Sequence, residues 1–271
     1  MFIVVAVAGL LACAQPRVIA HQGAWQEADS AQNSIAGLQK AAELKCYGSE
    51  FDVHLTVDNV PVVYHDNLIG GVRIQDTTYG NIQYGRLRNG EYLPTLIQFL
   101  QAAKRAPEIQ LILEIKPHRT PERDRQAAAT VAKLVSDMGL TDRVEYISFS
   151  MDICKELHRQ SPEAKVSFLE GMNDVTPQQL NDAGLTGIDY HYSHYDRHPE
   201  WIPQAKKLGL EVNVWTVDGE ELLRKWIATP GIDLITTNNP ELLNRLLSKL
   251  SYSGRLGGLR GNEMAVSASR L

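Results

Sequence analysis

The chain of 271 residues is long enough for one large α/β domain or two small ones. Hydrophobic residues make up 44% of it, which allows a sizeable core and argues against global disorder. The net charge of −5 argues against a general nucleic-acid-binding protein and against adsorption to anionic membranes. A small phosphorylated ligand is compatible with this charge, because a bound cation and a few lysines can invert the local field.

The N-terminus is predicted to be a targeting segment. The uncharged apolar stretch over 2–11 is too short to cross a bilayer as a helix. It ends in ACA, which suits signal-peptidase cleavage and predicts a signal peptide over residues 1–14. The alternative is a lipoprotein signal ending at Cys13, and a lipid anchor there would be the only predicted link to a membrane. Both interpretations predict an exported bacterial protein, either periplasmic or an outer-membrane lipoprotein.

From residue 15 to residue 250, short apolar strands alternate with amphipathic helices, several of which begin with a Ser or Thr cap. The predicted strands are Arg17–His21, Gly48–Val53, Gln110–Ile115, Val144–Phe149, Lys165–Leu169, Gly187–His191, Glu211–Thr216 and Asp233–Thr237. The predicted helices are Ser34–Cys46, Thr95–Arg105, Pro121–Met138, Met151–Gln160, Thr176–Ala183, Pro199–Leu208, Glu220–Ile227 and Pro240–Leu247. This alternation predicts a (β/α)8 TIM barrel over residues 15–250. An open doubly wound sheet fits less well, because no Gly-rich phosphate loop follows the first strand.

The segment from residue 56 to residue 94 interrupts this alternation. Asp58 and Asn59 predict a turn between LTV and PVVYHD, and therefore a small hairpin inserted after the second strand. The polar residues over 76–90 predict an irregular loop above the site. Residues 251–271 are rich in Gly, Ser and Arg without periodicity, and they predict a poorly ordered tail after the barrel.

Acidic residues recur near the ends of two predicted strands. Glu50 and Asp52 are two residues apart, so both side chains project to the same side of the strand, and Glu114 and Lys116 repeat this spacing on a later strand. Three carboxylates that converge inside a barrel repel one another unless a cation lies between them. All-oxygen ligands favour Mg²⁺ or Ca²⁺ over zinc. We therefore predict one divalent cation, Ca²⁺ or Mg²⁺, on the three acids. The alternative is a structural network in which Lys116 neutralises one of them.

Two histidines lie where barrel enzymes place catalytic groups, at the C-terminal ends of strands or just beyond. His21 ends the first strand, and His65 follows the strand PVVY. Cleavage of a phosphodiester needs one group that accepts a proton from the nucleophile and another that protonates the leaving alkoxide, and imidazole suits both tasks near neutral pH. Asp66 either orients His65 or begins the turn DNLIGG, and the turn is the favoured interpretation. His54 continues the spacing of the acids and is a weaker candidate ligand.

Three residues are candidates for binding the substrate. Lys116 offers a fixed positive charge to a phosphate group. Trp215 ends the strand VNVW and is predicted to form an apolar wall of the pocket, with a plain core tryptophan as the alternative. Gln22 directly follows His21, at a position where a phosphate-binding arginine would be natural.

These elements, in this order, resemble the glycerophosphodiester phosphodiesterase family. The motifs that carry the resemblance are HQG (21–23), QNS (32–34), SEFDVHLT (49–56), PVVYHD (61–66), LEIKP (113–117), ISF (147–149), VNVWTVD (212–218) and DLITTNNP (233–240). The combination is specific, whereas no single motif is. It implies a barrel enzyme that hydrolyses glycerophosphodiesters to glycerol 3-phosphate and an alcohol. The implied roles are a divalent cation held by Glu50, Asp52 and Glu114, an acid–base pair formed by His21 and His65, and a phosphate contact from Lys116.

The chain departs from the family pattern at three positions. Gln22 stands where the family usually has the Arg of His-Arg-Gly, Gln32 where it has the Glu of Glu-Asn-Thr, and Asn238 where it has the Asp of Thr-Asp. Loss of a guanidinium removes a bidentate phosphate contact that Gln cannot replace in charge. Because Gln22 and Gln32 both lack the usual charge, we hypothesise that an Arg–Glu pair has become an amide–amide contact.

The sequence therefore predicts an exported, metal-dependent phosphodiesterase with a small-molecule phosphodiester as substrate and no nucleic-acid partner. Two alternatives stay open. One is a weakly active or inactive phosphodiester-binding protein, which Gln22 and Asn238 motivate. The other is a phospholipase that acts on lysolipids. The sequence makes no prediction about the preferred head group or the oligomeric state.

Overall fold

The computed structural model describes residues 15–26, 29–170 and 173–250, so the predicted signal segment and tail lie outside the described residues. The strands in chain order are β1 (Arg17–Ala20), β2 (Gly48–Leu55), β3 (Pro61–Val63), β4 (Leu68–Ile69), β5 (Val72–Arg73), β6 (Gln110–Ile115), β7 (Val144–Ser148), β8 (Val166–Glu170), β9 (Gly187–His191), β10 (Glu211–Trp215) and β11 (Leu234–Thr237). The helices are α1 (Ile35–Glu43), α2 (Tyr79–Ile82), α3 (Leu96–Ala103), α4 (Pro121–Asp137), α5 (Met151–Gln160), α6 (Pro177–Asp182), α7 (Tyr192–Arg197), α8 (Trp201–Lys207), α9 (Glu220–Ile227) and α10 (240–250). None of the helices in these ranges is long and apolar enough to cross a membrane.

Eight of the strands close a parallel barrel. Their order around the ring is β1, β2, β6, β7, β8, β9, β10 and β11, and the ring closes because β1 pairs with both β2 and β11. The predicted (β/α)8 TIM barrel is therefore confirmed, and the alternative of an open doubly wound sheet is wrong. Because the strands are parallel, their C-terminal ends all meet at one face of the barrel, where barrel enzymes carry their active sites.

Alternate residues of the strands point into the barrel. At the N-terminal end, the ammonium group of Lys165 lies 3.1 Å from the carboxylates of both Glu145 and Glu211. An apolar cluster fills the interior next to this network, and its buried members are Ile19, Ile112, Ile147, Leu169 and Leu234. The polar residues at the C-terminal end are thus separated from the N-terminal ion pairs by hydrocarbon.

The insertion after β2 joins the barrel through one strand and has a small apolar cluster of its own. Strand β3 pairs antiparallel with β2 through a turn in which Asn59 adopts a positive φ of 63°, so the predicted hairpin is confirmed. The segment over 76–90 is not wholly irregular as predicted, because it contains the short helix α2. The apolar side chains of the insertion form a separate buried cluster of Val62, Ile69, Ile74, Ile82 and Leu93.

The helix α7 was not predicted. The sequence DYHYSHYD lacks a helical hydrophobic period, yet the chain turns into a helix directly after β9. The His191 side chain accepts a hydrogen bond from the backbone N–H of Ser193 and caps this helix. The rings of His194 and Tyr195 are buried beneath it. Tertiary packing of aromatic rings therefore stabilises α7 where its local pattern does not.

Candidate active site

Three buried carboxylates meet at the C-terminal end of the barrel. Glu50 and Asp52 project inward from β2, and Glu114 projects inward from the neighbouring strand β6, as their spacing predicts. One oxygen from each group lies within 4.8 Å of the others. The residues are only 3%, 1% and 6% exposed, respectively. The three predicted metal ligands are thus brought together in a place that water barely reaches.

One lysine neutralises only part of this charge. The Nζ of Lys116 lies 2.6 Å from Oδ1 of Asp52 and 2.8 Å from Oε1 of Glu114, so it pairs with two acids rather than with the single acid expected. Within the described ranges, Glu50 has no lysine or arginine partner. Its Oε2 accepts a hydrogen bond of 2.7 Å from the backbone N–H of Gln22, and its Oε1 has no hydrogen-bond partner there. An unpartnered carboxylate oxygen at this depth is costly unless a cation or a proton satisfies it.

The pKa values reflect this excess of negative charge. Burial, together with repulsion from the neighbouring acids, raises the pKa of Glu50 well above its usual range. Burial likewise raises the pKa of Glu114 to about 8. Burial also acts to raise the pKa of Asp52, but the charges of Lys116 and His65 and the hydrogen bonds from Lys116 and Asn33 together outweigh it and lower that pKa to about 2. The oxygen-only donors, the close spacing and the unsatisfied Glu50 oxygen all fit a hard divalent cation.

Two amide side chains hold Asp52 in place. Asn33 Nδ2 donates to Asp52 Oδ2 at 2.7 Å, and the Asp52 backbone N–H donates to Asn33 Oδ1 at 2.9 Å. The Gln22 amide also donates to Asp52 Oδ2, at 3.3 Å. Gln32 is exposed and makes no hydrogen bond to Gln22, so the hypothesis of an amide–amide contact between them is wrong. Asp52 is the group that the Gln22 amide contacts instead.

His21 is held in one orientation by a chain of hydrogen bonds. Asn238 Nδ2 donates to Asp218 at 2.7 Å, which leaves Asn238 Oδ1 to accept from Trp25 Nε1 at 3.0 Å and to face His21 Nδ1 at 2.8 Å. Because that oxygen can only accept, Nδ1 of His21 must carry the proton. Nε2 then bears the lone pair and lies 3.9 Å from Glu50. Burial lowers the pKa of His21, which favours this neutral form.

His65 approaches the acids from the exposed side. Its side chain is 49% exposed, and its Nδ1 lies 2.8 Å from Asp66 Oδ1. Asp66 therefore contacts the ring, whereas the sequence favoured a role for it in the following turn. His54 is fully buried, and its ring nitrogens face the His65 carbonyl at 3.3 Å and the Gln75 amide at 3.1 Å. His54 thus supports the loop of His65 and is not part of the carboxylate cluster.

A cavity of about 160 Å³ lies between these groups. Both histidines, Glu50, Glu114 and Lys116 line one side of it. Trp215 lines the other side, and its ring packs edge-on against Phe149 with centroids 5.6 Å apart. Gln22 is not among the lining residues. The cavity is smaller than pockets for drug-sized ligands, so it suits a phosphate with a short organic group.

One acid that lines this cavity was not predicted from the sequence. Asp189 sits on β9, opposite the metal-ligand strands, and is 2% exposed. The same alternation that identified Glu50 would have found it, because Asp189 is the inward residue of GIDYH. It belongs to none of the family motifs and has no acidic neighbour at a spacing of two, so its local sequence does not mark it as a site residue.

The sequence profile of the Glycerophosphoryl diester phosphodiesterase family matches residues 21–242. The chain belongs to this family. The match spans the barrel from His21 to α10 and includes the carboxylates, the lysine and both histidines described above. Membership therefore agrees with the resemblance drawn from the sequence motifs.

Individual relatives agree with this assignment. A glycerophosphodiester phosphodiesterase from Caldanaerobacter subterraneus subsp. tengcongensis is 27% identical over 246 residues, which cover 86% of this chain and 98% of the relative. The crystal structure of a glycerophosphodiester phosphodiesterase from Parabacteroides distasonis is 48% identical, has a TM-score of 0.85, and is matched over 88% of this chain and 98% of its own. A phosphodiesterase from Oleispira antarctica, solved with the product sn-glycerol-3-phosphate, is 22% identical with a TM-score of 0.75 over 86% of this chain and 97% of its own, and shares the fold.

Proposed function

We propose that this protein hydrolyses glycerophosphodiesters to glycerol 3-phosphate and an alcohol, with the help of one divalent cation. The observation that carries the proposal is the meeting of buried carboxylates, a lysine and two imidazoles around one small cavity. Family membership and the named activity of the Caldanaerobacter relative support the substrate class. The glycerol 3-phosphate bound to the Oleispira protein supports the product.

Glu50, Asp52 and Glu114 would hold the cation, and their oxygens suit Ca²⁺ or Mg²⁺. When bound, such an ion polarises the phosphoryl group and offsets the charge that develops in the transition state. Lys116 supplies a second positive charge at the same wall of the cavity and contacts the phosphate. Trp215 and Phe149 form the apolar wall against which the carbon chain of the substrate packs.

The two histidines divide the proton transfers. His21 acts as the general base on the nucleophile, because its Nδ1–H is committed to Asn238 and its Nε2 is free to accept a proton. His65 acts as the general acid on the leaving alkoxide, and Asp66 orients its ring. His65 lies on the exposed side of the cavity, where an alcohol product can depart.

An assay panel tests this proposal against its rivals. Purified protein is assayed on glycerophosphocholine, glycerophosphoethanolamine, glycerophosphoinositol and a lysolipid, each with Ca²⁺, with Mg²⁺ and with EDTA. We expect turnover of the glycerophosphodiesters with a cation and none with EDTA. Tight binding without turnover would instead support a binding protein, and turnover of the lysolipid alone would support a phospholipase. Asn238 favours the active enzyme, because it keeps the hydrogen bond that orients His21.

Replacing Gln22 with Arg is expected to lower the KM for glycerophosphocholine by about tenfold, which is the scale of one charge-assisted hydrogen bond to phosphate. Position 22 lies beside Asp52, so the new charge also offsets part of the negative cluster. Steady-state kinetics at saturating cation measure the effect. Gln22→Met is the matched control, since it keeps the length of the side chain without the charge. An unchanged KM in Gln22→Arg would mean that residue 22 supports Asp52 and does not limit phosphate binding.

We also propose that the protein is exported, on the evidence of residues 1–14 alone. These residues and Cys13 lie outside the described structure. Mass spectrometry of the mature protein tests the proposal, because cleavage before Gln15 and a lipid on Cys13 give different N-terminal masses.

A further inference from the structure

A second cavity opens beside His65, between the loop that follows β1 and the insertion. Its volume is about 180 Å³, and none of the three metal-ligand acids lines it. His65 lines both this cavity and the catalytic cavity, so the two spaces meet at that ring. We call the second space the outer cavity.

Two arginines of the insertion give the outer cavity a positive charge. Arg86 and Arg88 both line it, and neither forms an ion pair with an acid among residues 15–26, 29–170 and 173–250. The acid in its described lining is Asp66, which lies 2.8 Å from Nδ1 of His65. An arginine without a carboxylate partner keeps its full charge and all five of its N–H donors available. The outer cavity is therefore suited to an anion.

The turn that carries these arginines is fixed to the rest of the site. The Arg86 guanidinium donates to the Gly90 carbonyl at 2.6 Å and lies 3.6 Å from the centroid of the Tyr92 ring. Glu91 accepts hydrogen bonds of 2.9 and 3.1 Å from the first two backbone N–H groups of α1. These contacts hold the turn against the segment that precedes α1. A ligand that binds the arginines therefore has little ordering cost to offset.

Gln32 leaves the charge of the arginines uncompensated. It is exposed, and it lines the outer cavity together with Arg86 and Arg88. A carboxylate at this position would lie at the same cavity as the two guanidinium groups and offset part of their charge, whereas the neutral amide does not. The departure from the family pattern at residue 32 thus makes the outer cavity of this chain more positive.

The position of the outer cavity selects the part of the substrate that would occupy it. In the proposed function His65 protonates the leaving alkoxide, so the leaving alcohol lies next to that ring. The outer cavity extends from the same ring. A choline group would bring a second positive charge to the arginines, and like charges disfavour binding. A carboxylate or a phosphate would instead accept paired, charge-assisted hydrogen bonds from a guanidinium group.

We infer that Arg86 and Arg88 form a subsite for a leaving alcohol that carries its own anionic group, either a carboxylate or a second phosphate. This inference rests on the proposed function, because it takes His65 to face the leaving oxygen. It makes the insertion a determinant of substrate choice, separate from the barrel residues that hold the cation.

Four esters of matched length test this preference. They are the sn-glycero-3-phospho esters of ethanolamine, ethylene glycol, glycolate and 2-hydroxyethyl phosphate, whose leaving alcohols are cationic, neutral, singly anionic and doubly anionic. Isothermal titration calorimetry measures their affinities with Ca²⁺ or Mg²⁺ present. The His21→Ala protein is used, because loss of the general base slows consumption of the esters.

We expect an anionic ester to bind about tenfold more tightly than the ethylene glycol ester, which is the scale of one charge-assisted hydrogen bond. The ethanolamine ester should bind more weakly than the ethylene glycol ester. A preference for both anionic esters would mean that the subsite accepts either group, and a preference for one of them would identify its anion. Equal affinities for all four esters would overturn the inference.

Variants then assign the preference to the arginines. Arg86→Gln and Arg88→Gln should each reduce it, and Arg88→Gln carries the test if loss of Arg86 disturbs the turn. Gln32→Glu should also reduce it, because a carboxylate then competes for the guanidinium groups. The matched control is Arg125→Gln, which removes an exposed arginine of α4 that lines neither cavity.

A preference that survives both arginine substitutions would refute the assignment and would mean that the second anion binds the cation. Wild-type turnover of the same esters separates the inference from the proposed function. If none of the four is hydrolysed while the binding preference depends on the arginines, the proposed hydrolysis fails and the subsite stands. If all four are hydrolysed but bind equally, the subsite fails and the hydrolysis stands.

Discussion

Replacing Glu50 with Gln is expected to stabilise the metal-free protein and to inactivate the loaded enzyme. Without a cation, three buried carboxylates share the single charge of Lys116, and Glu50 is the one without a cationic side chain beside it in the described structure. A neutral amide removes that repulsion and can donate to the neighbouring acids. We expect a gain of about 1 kcal/mol or more in the free energy of unfolding near pH 8, the scale of the cost of leaving a buried polar group unsatisfied.

The pH dependence has a definite sign. The folded-state pKa of Glu50 is raised above its unfolded value, so the folded protein binds more protons than the unfolded chain between these two values. The metal-free wild type should therefore lose stability as the pH rises from the ordinary range of Glu, near 4.5, towards the raised pKa. The amide in Glu50→Gln cannot titrate, so the variant should lack this part of the loss.

With a bound cation, the wild type should be more stable than Glu50→Gln, the reverse of the order expected for the metal-free proteins. Saturating Ca²⁺ or Mg²⁺ stabilises whichever protein binds it, and the wild type gains more because it keeps all three carboxylates. The same variant should lose activity by roughly a thousandfold, since a Lewis-acid cation contributes several kcal/mol to the transition state. Denaturant unfolding with EDTA and with cation, together with kcat/KM on glycerophosphocholine, measures both effects.

Glu145→Gln is the matched control for this experiment. Glu145 is a buried carboxyl inside the same barrel, but it lies at the N-terminal end and pairs with Lys165 at 3.1 Å. Its replacement should lower stability, leave kcat/KM unchanged and show no dependence on the cation. If Glu50→Gln behaves in the same way, with stability lost and activity kept, the three acids form a structural network and the metal assignment fails.

Much of the barrel and of the metal-ligand cluster could be predicted from the sequence because both follow from local rules. Strand alternation with a period of two puts Glu50 and Asp52 on one side, and parallel strands in register put Glu114 beside them. The strand limits agree with prediction to within two residues for the same reason. The spacing of inward-facing residues along a strand depends only on residues that are close in sequence, so it can be recognised without knowledge of the tertiary structure.

Pairings between distant segments could not be predicted in this way. Asn238, which is held by Asp218, contacts His21 across more than 190 residues of chain, and only the closed ring of strands brings them together. Gln22 and Gln32 were paired by analogy of charge, whereas the fold directs the Gln22 amide to Asp52 and leaves Gln32 exposed. Asp189 follows the alternation of inward and outward residues, but only the folded structure shows that it lines the cavity.

The two histidines should contribute differently to catalysis although both are needed. Replacing either His21 or His65 with Ala is expected to lower kcat by roughly 100- to 10,000-fold, the usual contribution of a general base or acid. The substrate KM should change little, because the phosphate is held by the cation site and Lys116. His198→Ala is the control, since that ring stacks on Trp201 with centroids 4.2 Å apart and lies outside the cavity.

A substrate with an activated leaving group distinguishes the two roles. Bis(4-nitrophenyl) phosphate releases 4-nitrophenolate, which leaves without accepting a proton. Loss of the general acid should therefore lower the rate on this substrate only slightly, whereas loss of the general base should lower it as much as on the natural substrate. His65→Ala should therefore regain most of its activity on this substrate, whereas His21→Ala should stay impaired. The opposite pattern would exchange the roles of the two residues. Equal impairment on both substrates would mean that His65 orients the substrate and donates no proton to the leaving group.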